Sequence, residues 1–179
     1  MSEPVTDKTK EILDKYLDED FACFASGNEA PTGADLDALA EKLQIQFPAE
    51  FVEHSISKFG GIYIEVKEAL WPRPEPFDVG PFWSFLYGLF VYSASADAPE
   101  WMNMETAAAD FRQDGAQQAA PFLKIIGDPD FYCFDQSGAI VRWNHETDEL
   151  EPVDQTFFQL LEEEIKNLRD RKEQKKAGE

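Results

Sequence analysis

Cysteine and histidine are both scarce in this chain of 179 residues, and long apolar runs are missing altogether. The two cysteines, Cys23 and Cys133, stand far apart and form neither a metal-ligand spacing nor a disulfide framework, so both are expected to be reduced core thiols of a cytoplasmic protein. The two histidines, His54 and His145, have no cysteine or second histidine beside them, and zinc is not supported. The longest near-apolar stretch, 82–92, is broken by Ser84 and Gly88 and falls well short of the roughly 20 residues that cross a bilayer. The first twenty residues carry seven acids and three lysines with no apolar run, which gives no secretory signal. Basic residues are few as well, 16 against 36 acidic ones, for a formal net charge of −20. Coulomb repulsion then disfavours nucleic acid and anionic membranes, whereas a basic protein partner would be steered inward. Gly-rich phosphate loops, Rossmann fingerprints, nucleophile elbows and internal repeats are also missing. The expectation is a protein that is not an enzyme, with no catalytic residue, no cofactor and no metal.

What is present is ample material for one packed domain, since 43% of the residues are hydrophobic and 13% aromatic. Leu13, Tyr16, Leu17, Phe21 and Phe24 recur at helical spacing and predict a short N-terminal helix. Thr32 and Asp35 form a weak capping box before a second helix with Leu36, Leu39, Ala40 and Leu43 as its apolar stripe. Pro48 suits the start of a third helix, with Phe51, Val52, Ile56 and Phe59 on one side, and Gly60 and Gly61 end it. Strands are predicted over 62–66 and 89–92, a helix around 105–112, and further strands over 122–126, 131–134 and 139–143, the last two joined as a hairpin. Asp154 or Thr156 can cap a final helix bearing Phe157, Leu160, Leu161, Ile165 and Leu168. From Lys166 onward six basic residues meet three acidic ones, the one basic stretch of the chain and one suited to a helix C-terminus.

The order of helix, Phe47-Pro48, helix, Gly60-Gly61, strand, hairpin and terminal helix resembles the SUKH superfamily, which takes part of its name from a fungal regulator of cell-wall glucan synthesis. The likeness is carried by Leu36, Leu39, Leu43, Phe47, Pro48, Phe51, Phe59, Gly60 and Gly61, with Phe59 where the family often has asparagine. It resumes over 122–143 (FLKIIGDPDFYCFDQSGAIVRW) and ends with Thr156, Phe157 and Leu160. The resemblance implies an α+β domain with helices packed on one face of a mainly antiparallel sheet, spanning 33–168, with 1–32 as a helical extension and 169–179 as a basic, frayed tail. It also implies protein binding, most often by bacterial immunity proteins that neutralise toxins, with intracellular regulators or scaffolds as the alternative and a small-molecule or glycan-binding domain as a third reading. No catalytic residue transfers from it.

Several clusters invite chemistry. Asp128, Asp130 and Asp135 could hold a hard cation, yet their spacing lacks a calcium loop and suits ordinary turns. His145, among Asn144, Glu146 and Asp148, falls where the chain must turn, and His54 reads as a structural imidazole. Glu100 and Glu105 beside Trp101 resemble the paired carboxylates of sugar hydrolysis. The segment 68–123 holds 11 of the 24 aromatic residues, and Arg73 and Arg112 are its sole basic ones. Rings and arginine concentrate at binding hot spots, so Trp71, Arg73, Phe82, Trp83 and Trp101 are the candidate partner-binding residues, with core packing as their alternative role.

Overall fold

A computed structural model describes residues 7–25, 29–114 and 118–178. Seven antiparallel strands lie in chain order across one sheet: β1 (Phe21–Ala25), β2 (Ile62–Val66), β3 (Gly88–Val91), β4 (Ala120–Ile125), β5 (Phe131–Phe134), β6 (Ile140–Asn144) and β7 (Glu149–Pro152). Among the described residues five α-helices accompany them: α1 (Lys8–Tyr16), α2 (Gly33–Leu43), α3 (Ala49–Ile56), α4 (Met104–Asp114) and α5 (Phe157–Lys176). The architecture is α+β, as the sequence predicts.

Side chains alternate across a strand, so each strand has two different faces to satisfy. Ile62, Ile64 and Val66 of β2, with Leu89 and Val91 of β3, point to the side covered by α1, α3 and α5 and are fully buried. Phe51 of α3 stands at the centre of that side, edge-on to Phe134 at 5.0 Å and to Phe157 at 5.5 Å, while Phe122 and Phe134 stack at 4.0 Å. The register slips between Pro121 and Leu123. This bulge lets two consecutive residues, Phe122 and Leu123, both face the helices, and Pro121, which has no N–H to give a ladder, sits beside it.

Local signals set the helix ends. Thr32 with Asp35 and Thr156 with Gln159 form reciprocal capping boxes, and the carboxylate of Glu50 on α3 accepts from the Phe158 N–H at 2.9 Å, joining two helices at an otherwise unpaired donor. Helix α3 ends at Ile56. The glycine pair after it answers a close approach, since a Cβ on Gly60 would lie 2.3 Å from the Ser55 carbonyl oxygen and Gly61 has φ +66°.

The N-terminal segment departs from its predicted form. Helix α1 stops at Tyr16, and Phe21–Ala25 is an edge strand paired with β2. The acids Asp18, Glu19 and Asp20 interrupt the apolar spacing, and Phe21 is buried against the core. Cys133 is a buried thiol whose pKa burial raises, but Cys23 lies exposed on this edge strand and is no core residue.

The last helix runs on to Lys176 and ties the N-terminal segment down. Lys172 is fully buried, with its ammonium 2.8 Å from Asp18, 3.1 Å from Asp20, bonded to Glu173 and 5.4 Å from the Phe21 ring. Burial opposes its charge, but the hydrogen bonds to Asp18, Glu173 and Asp20 outweigh that and raise its pKa. Lys172→Met keeps the apolar stem and removes the charge that holds three carboxylates. Because those carboxylates keep some solvent, a loss of about 2–3 kcal/mol is expected, less than for a fully buried pair. A urea midpoint corresponding to a loss under about 0.5 kcal/mol would show that this cluster contributes little.

Candidate functional site

The sheet face turned away from α1, α3 and α5 is also aromatic. Alternation places Tyr63, Phe90, Phe131 and Trp143 there, together with Tyr92 just past β3, and Phe24 of the edge strand stacks on Tyr63 at 4.8 Å. After Tyr92 the chain leaves the sheet and returns through a parallel bridge between Ser93 and Asn103, with the Ser93 N–H donating to the Met102 carbonyl at 2.7 Å and the Met104 N–H to that of Ser93 at 2.9 Å. This closure sets a single 3-10 turn, Glu100–Met102, over the face. Trp101 thereby meets Phe90 and Tyr63 edge-on at 5.4 and 5.7 Å while staying 54% exposed.

Helix α4 forms the opposite wall. The Asn103 side chain accepts from the Thr106 N–H at 3.0 Å at its start, and Arg112 anchors its end by donating to the carbonyls of Leu43 and Ala119 at 2.7 and 3.3 Å. Phe111 of this helix sits edge-on to Trp143 at 5.4 Å and to Phe131 at 6.3 Å. Between the 3-10 turn, α4 and strands β4 to β6 lies a groove of about 260 Å³. Tyr92, Trp101, Phe111, Phe131 and Trp143 supply its rings, and Glu100, Asp110 and Asp148 supply carboxylates, with no basic residue in the lining among the described residues.

One of those acids is held by a special backbone. Asp148 has φ +56°, the left-handed region that Asp tolerates in turns, and its carboxylate accepts from the Trp143 indole N–H at 2.7 Å. Burial, aided by the nearby Cys133 and Asp110, raises the Tyr92 pKa, so the phenol stays neutral. A neighbouring cavity of about 420 Å³ lies against α2 and is also acidic, but Lys42 is part of its wall and pairs there with Glu105.

The five residues singled out by composition do not share a surface. Trp101 lines the groove. Trp71 is buried, its indole donating to the Ser84 carbonyl at 3.0 Å, and Trp83 packs edge-on against it at 5.9 Å. Arg73 donates to the carbonyls of Trp71 and Val66 at 2.7 and 2.6 Å, lies 3.3 Å from Glu65 and stacks 4.0 Å from the Tyr87 ring. It therefore clips the long connection between β2 and β3. Phe82 is exposed on that connection, together with Phe77 and Val79. Composition does not single out Phe111, Phe131 and Trp143. The signal for the two strand residues is the apolar outward position of β5 and β6, opposite Tyr132 and Arg142, in strands whose other face is already in contact with α5 through Tyr132 and Glu164.

The other polar clusters are satisfied internally. Arg142 pairs with Asp128 at 3.3 Å and Asp130 at 3.1 Å, and the His145 ring nitrogen lies 2.6 Å from Asp130. Although burial works against its charge, these hydrogen bonds and the Arg142 charge lower the Asp130 pKa. Asp135 accepts from the Ser137 and Ala139 N–H groups in the hairpin turn. Among the described residues no group of three or more His, Cys, Asp or Glu side chains is arranged to hold a metal. Glu100 and Glu105 have different surroundings, the first at the groove and the second bonded to Lys42. No helix among the described residues is long and apolar enough to cross a membrane.

A comparison with curated proteins finds no match. The family model for SMI1 / KNR4 matches residues 30–163, from just before α2 into α5 and including both walls of the groove. With well over half of its length covered, the chain belongs to the SMI1 / KNR4 family (SUKH-1).

Proposed function

We propose that this chain is a non-enzymatic, cytoplasmic protein-binding domain that acts as an immunity protein, occluding a basic toxin domain with the aromatic, acid-rimmed side of its sheet. The observation that carries this reading is the groove itself, lined among the described residues by five rings and three carboxylates and by no Lys or Arg, on a chain of formal charge −20. Such a surface accelerates encounter with a basic partner through its charge, and its desolvated rings slow dissociation. Binding without catalysis is supported by the surroundings of three groups that often serve in catalysis: Cys133 is sealed in the interior, His54 is buried against Phe157, and His145 is tied to Asp130.

A tagged chain used for pull-down from its native host, at low and moderate salt, should recover one basic, toxic protein, with less recovered as salt rises. Recovery of a housekeeping complex instead would favour the regulatory reading of the same domain. Failure to bind any toxin encoded by a neighbouring gene, at any salt concentration, would remove the immunity reading.

A further inference from the structure

The groove between α4 and the Glu100–Met102 turn has a composition that selects one kind of guest. An aromatic ring carries negative charge on its face, and a cation resting on it within about 6 Å is attracted, the more so as water is removed. Trp101, Phe111, Phe131 and Trp143 bring four such rings to one cavity, and Glu100 and Asp110 add full negative charge at its wall. A purely apolar guest would leave those carboxylates to be desolvated with no compensation, and an anionic one would be repelled. The chain already uses this chemistry on the same sheet face: the Lys124 ammonium lies 4.5 Å from the Phe131 ring, held by the carbonyls of Asp128 and Asp130. Lys124 is not part of the groove wall and its ammonium serves the Phe131 ring alone, so Trp101, Phe111 and Trp143 have no cation on them among the described residues.

We infer that this groove is a receptor for a cationic side chain, arginine above all, presented by an apolar segment of a protein partner. This rests on the protein-binding reading above and specifies what the partner must offer. Arginine suits the site better than lysine because its planar, weakly hydrated guanidinium stacks on rings while donating to carboxylates at its edge. The volume of about 260 Å³ holds one such side chain and its immediate neighbours, and is too small for a folded element.

The test uses the full chain and two capped tripeptides, leucine-arginine-leucine and leucine-citrulline-leucine, which match in shape and differ in charge. Titration is followed by the indole N–H resonances of Trp101 and Trp143 in two-dimensional NMR spectra. The arginine peptide should shift both, with the citrulline peptide binding about tenfold more weakly. Trp101→Ala should weaken the arginine peptide about tenfold and Asp110→Asn about threefold, each with an unchanged amide spectrum away from the groove. Equal binding of the two peptides, or shifts that leave Trp101 and Trp143 untouched, would overturn the inference. The two readings fail separately. A chain that binds the arginine peptide but captures no toxin loses the immunity role and keeps the groove, whereas toxin capture unaffected by Trp101→Ala, with no preference for arginine over citrulline, loses the groove and keeps the role.

Discussion

Phe51→Ala is expected to destabilise the domain by about 3–5 kcal/mol, the range for emptying a well-packed aromatic site. Phe51 is fully buried and touches Phe47, Phe122, Phe134 and Phe157, with ring centroids 5.0 to 6.3 Å away. Those neighbours come from three separate parts of the fold: the segment leading into α3, strands β4 and β5, and the start of α5. They are anchored independently, Phe122 by the bulge and Phe157 by a capped helix end, so they cannot all move inward to fill the space. The cost should therefore include most of the cavity term in addition to the lost transfer energy. Urea denaturation would check it, with the midpoint falling and the slope unchanged, since the surface exposed on unfolding is nearly the same. A loss below about 1.5 kcal/mol would mean that the aromatic cluster collapses around the vacancy and is more plastic than its edge-on geometry indicates.

Much of the fold around this cluster is legible in the amino-acid sequence alone. Thr32 with Asp35, Phe47-Pro48 and the hairpin ending in Gly138 are signals in which one residue type has a local physical role, and each marks an element boundary in the structure, whereas the Gly60-Gly61 pair does not end α3, which stops at Ile56, and stands instead just before β2. Two strands lack such a signal. In β1, Phe21 and Phe24 continue the three-and-four spacing of Leu13 and Leu17, and only pairing with β2 makes that segment extended. Strand β7, with the sequence ELEP, has a single large apolar residue, Leu150, whose partner Trp143 lies across the ladder. Strand propensity is weak evidence where a cross-strand neighbour supplies the packing.

The groove is harder to read for a further reason. Trp101 reaches the sheet because Ser93 and Asn103 pair as an isolated parallel bridge, a contact with no periodic pattern and no characteristic turn residue. Composition finds the aromatic excess in the segment but cannot assign each ring to a face. Trp71 and Arg73 look like interface residues for this reason, yet Arg73 is spent on the carbonyls of Val66 and Trp71, groups that a long connection leaves without a ladder partner. Trp143 and Phe131, by contrast, are ordinary strand residues whose neighbourhood becomes a binding wall once α4 brings Phe111 against them.

The pH dependence of stability should carry a large contribution from His54. Its ring is buried between α1 and α5, 5.2 Å from Phe157, with Nδ1 2.9 Å from the Thr9 hydroxyl. Nε2 has no hydrogen-bond partner among the described residues. Loss of water on burial is the sole cause that moves its pKa, from 6.5 down to about 3, and no charged neighbour contributes. The imidazole is thus neutral in the native state at pH values where the unfolded chain is protonated. Above pH 6.5 neither state takes up this proton and the effect is nil. As pH falls below 6.5 the unfolded chain binds one proton more than the native chain, so stability is lost at up to about 1.4 kcal/mol per pH unit until the native ring protonates near pH 3. Between pH 7.5 and 4.5 this amounts to about 2.5 kcal/mol. Carboxylates titrate nearby, at pH values overlapping the lower part of this range, but they are common to the wild type and to His54→Gln, so the difference between the two chains isolates the ring. His54→Gln is expected to be the less stable chain at pH 7.5, where glutamine fits the ring's pocket poorly, and to close that gap by about 2.5 kcal/mol at pH 4.5. A stability difference that stays constant across that interval would mean that the native ring accepts its proton near the ordinary value, and that water reaches Nε2 in solution.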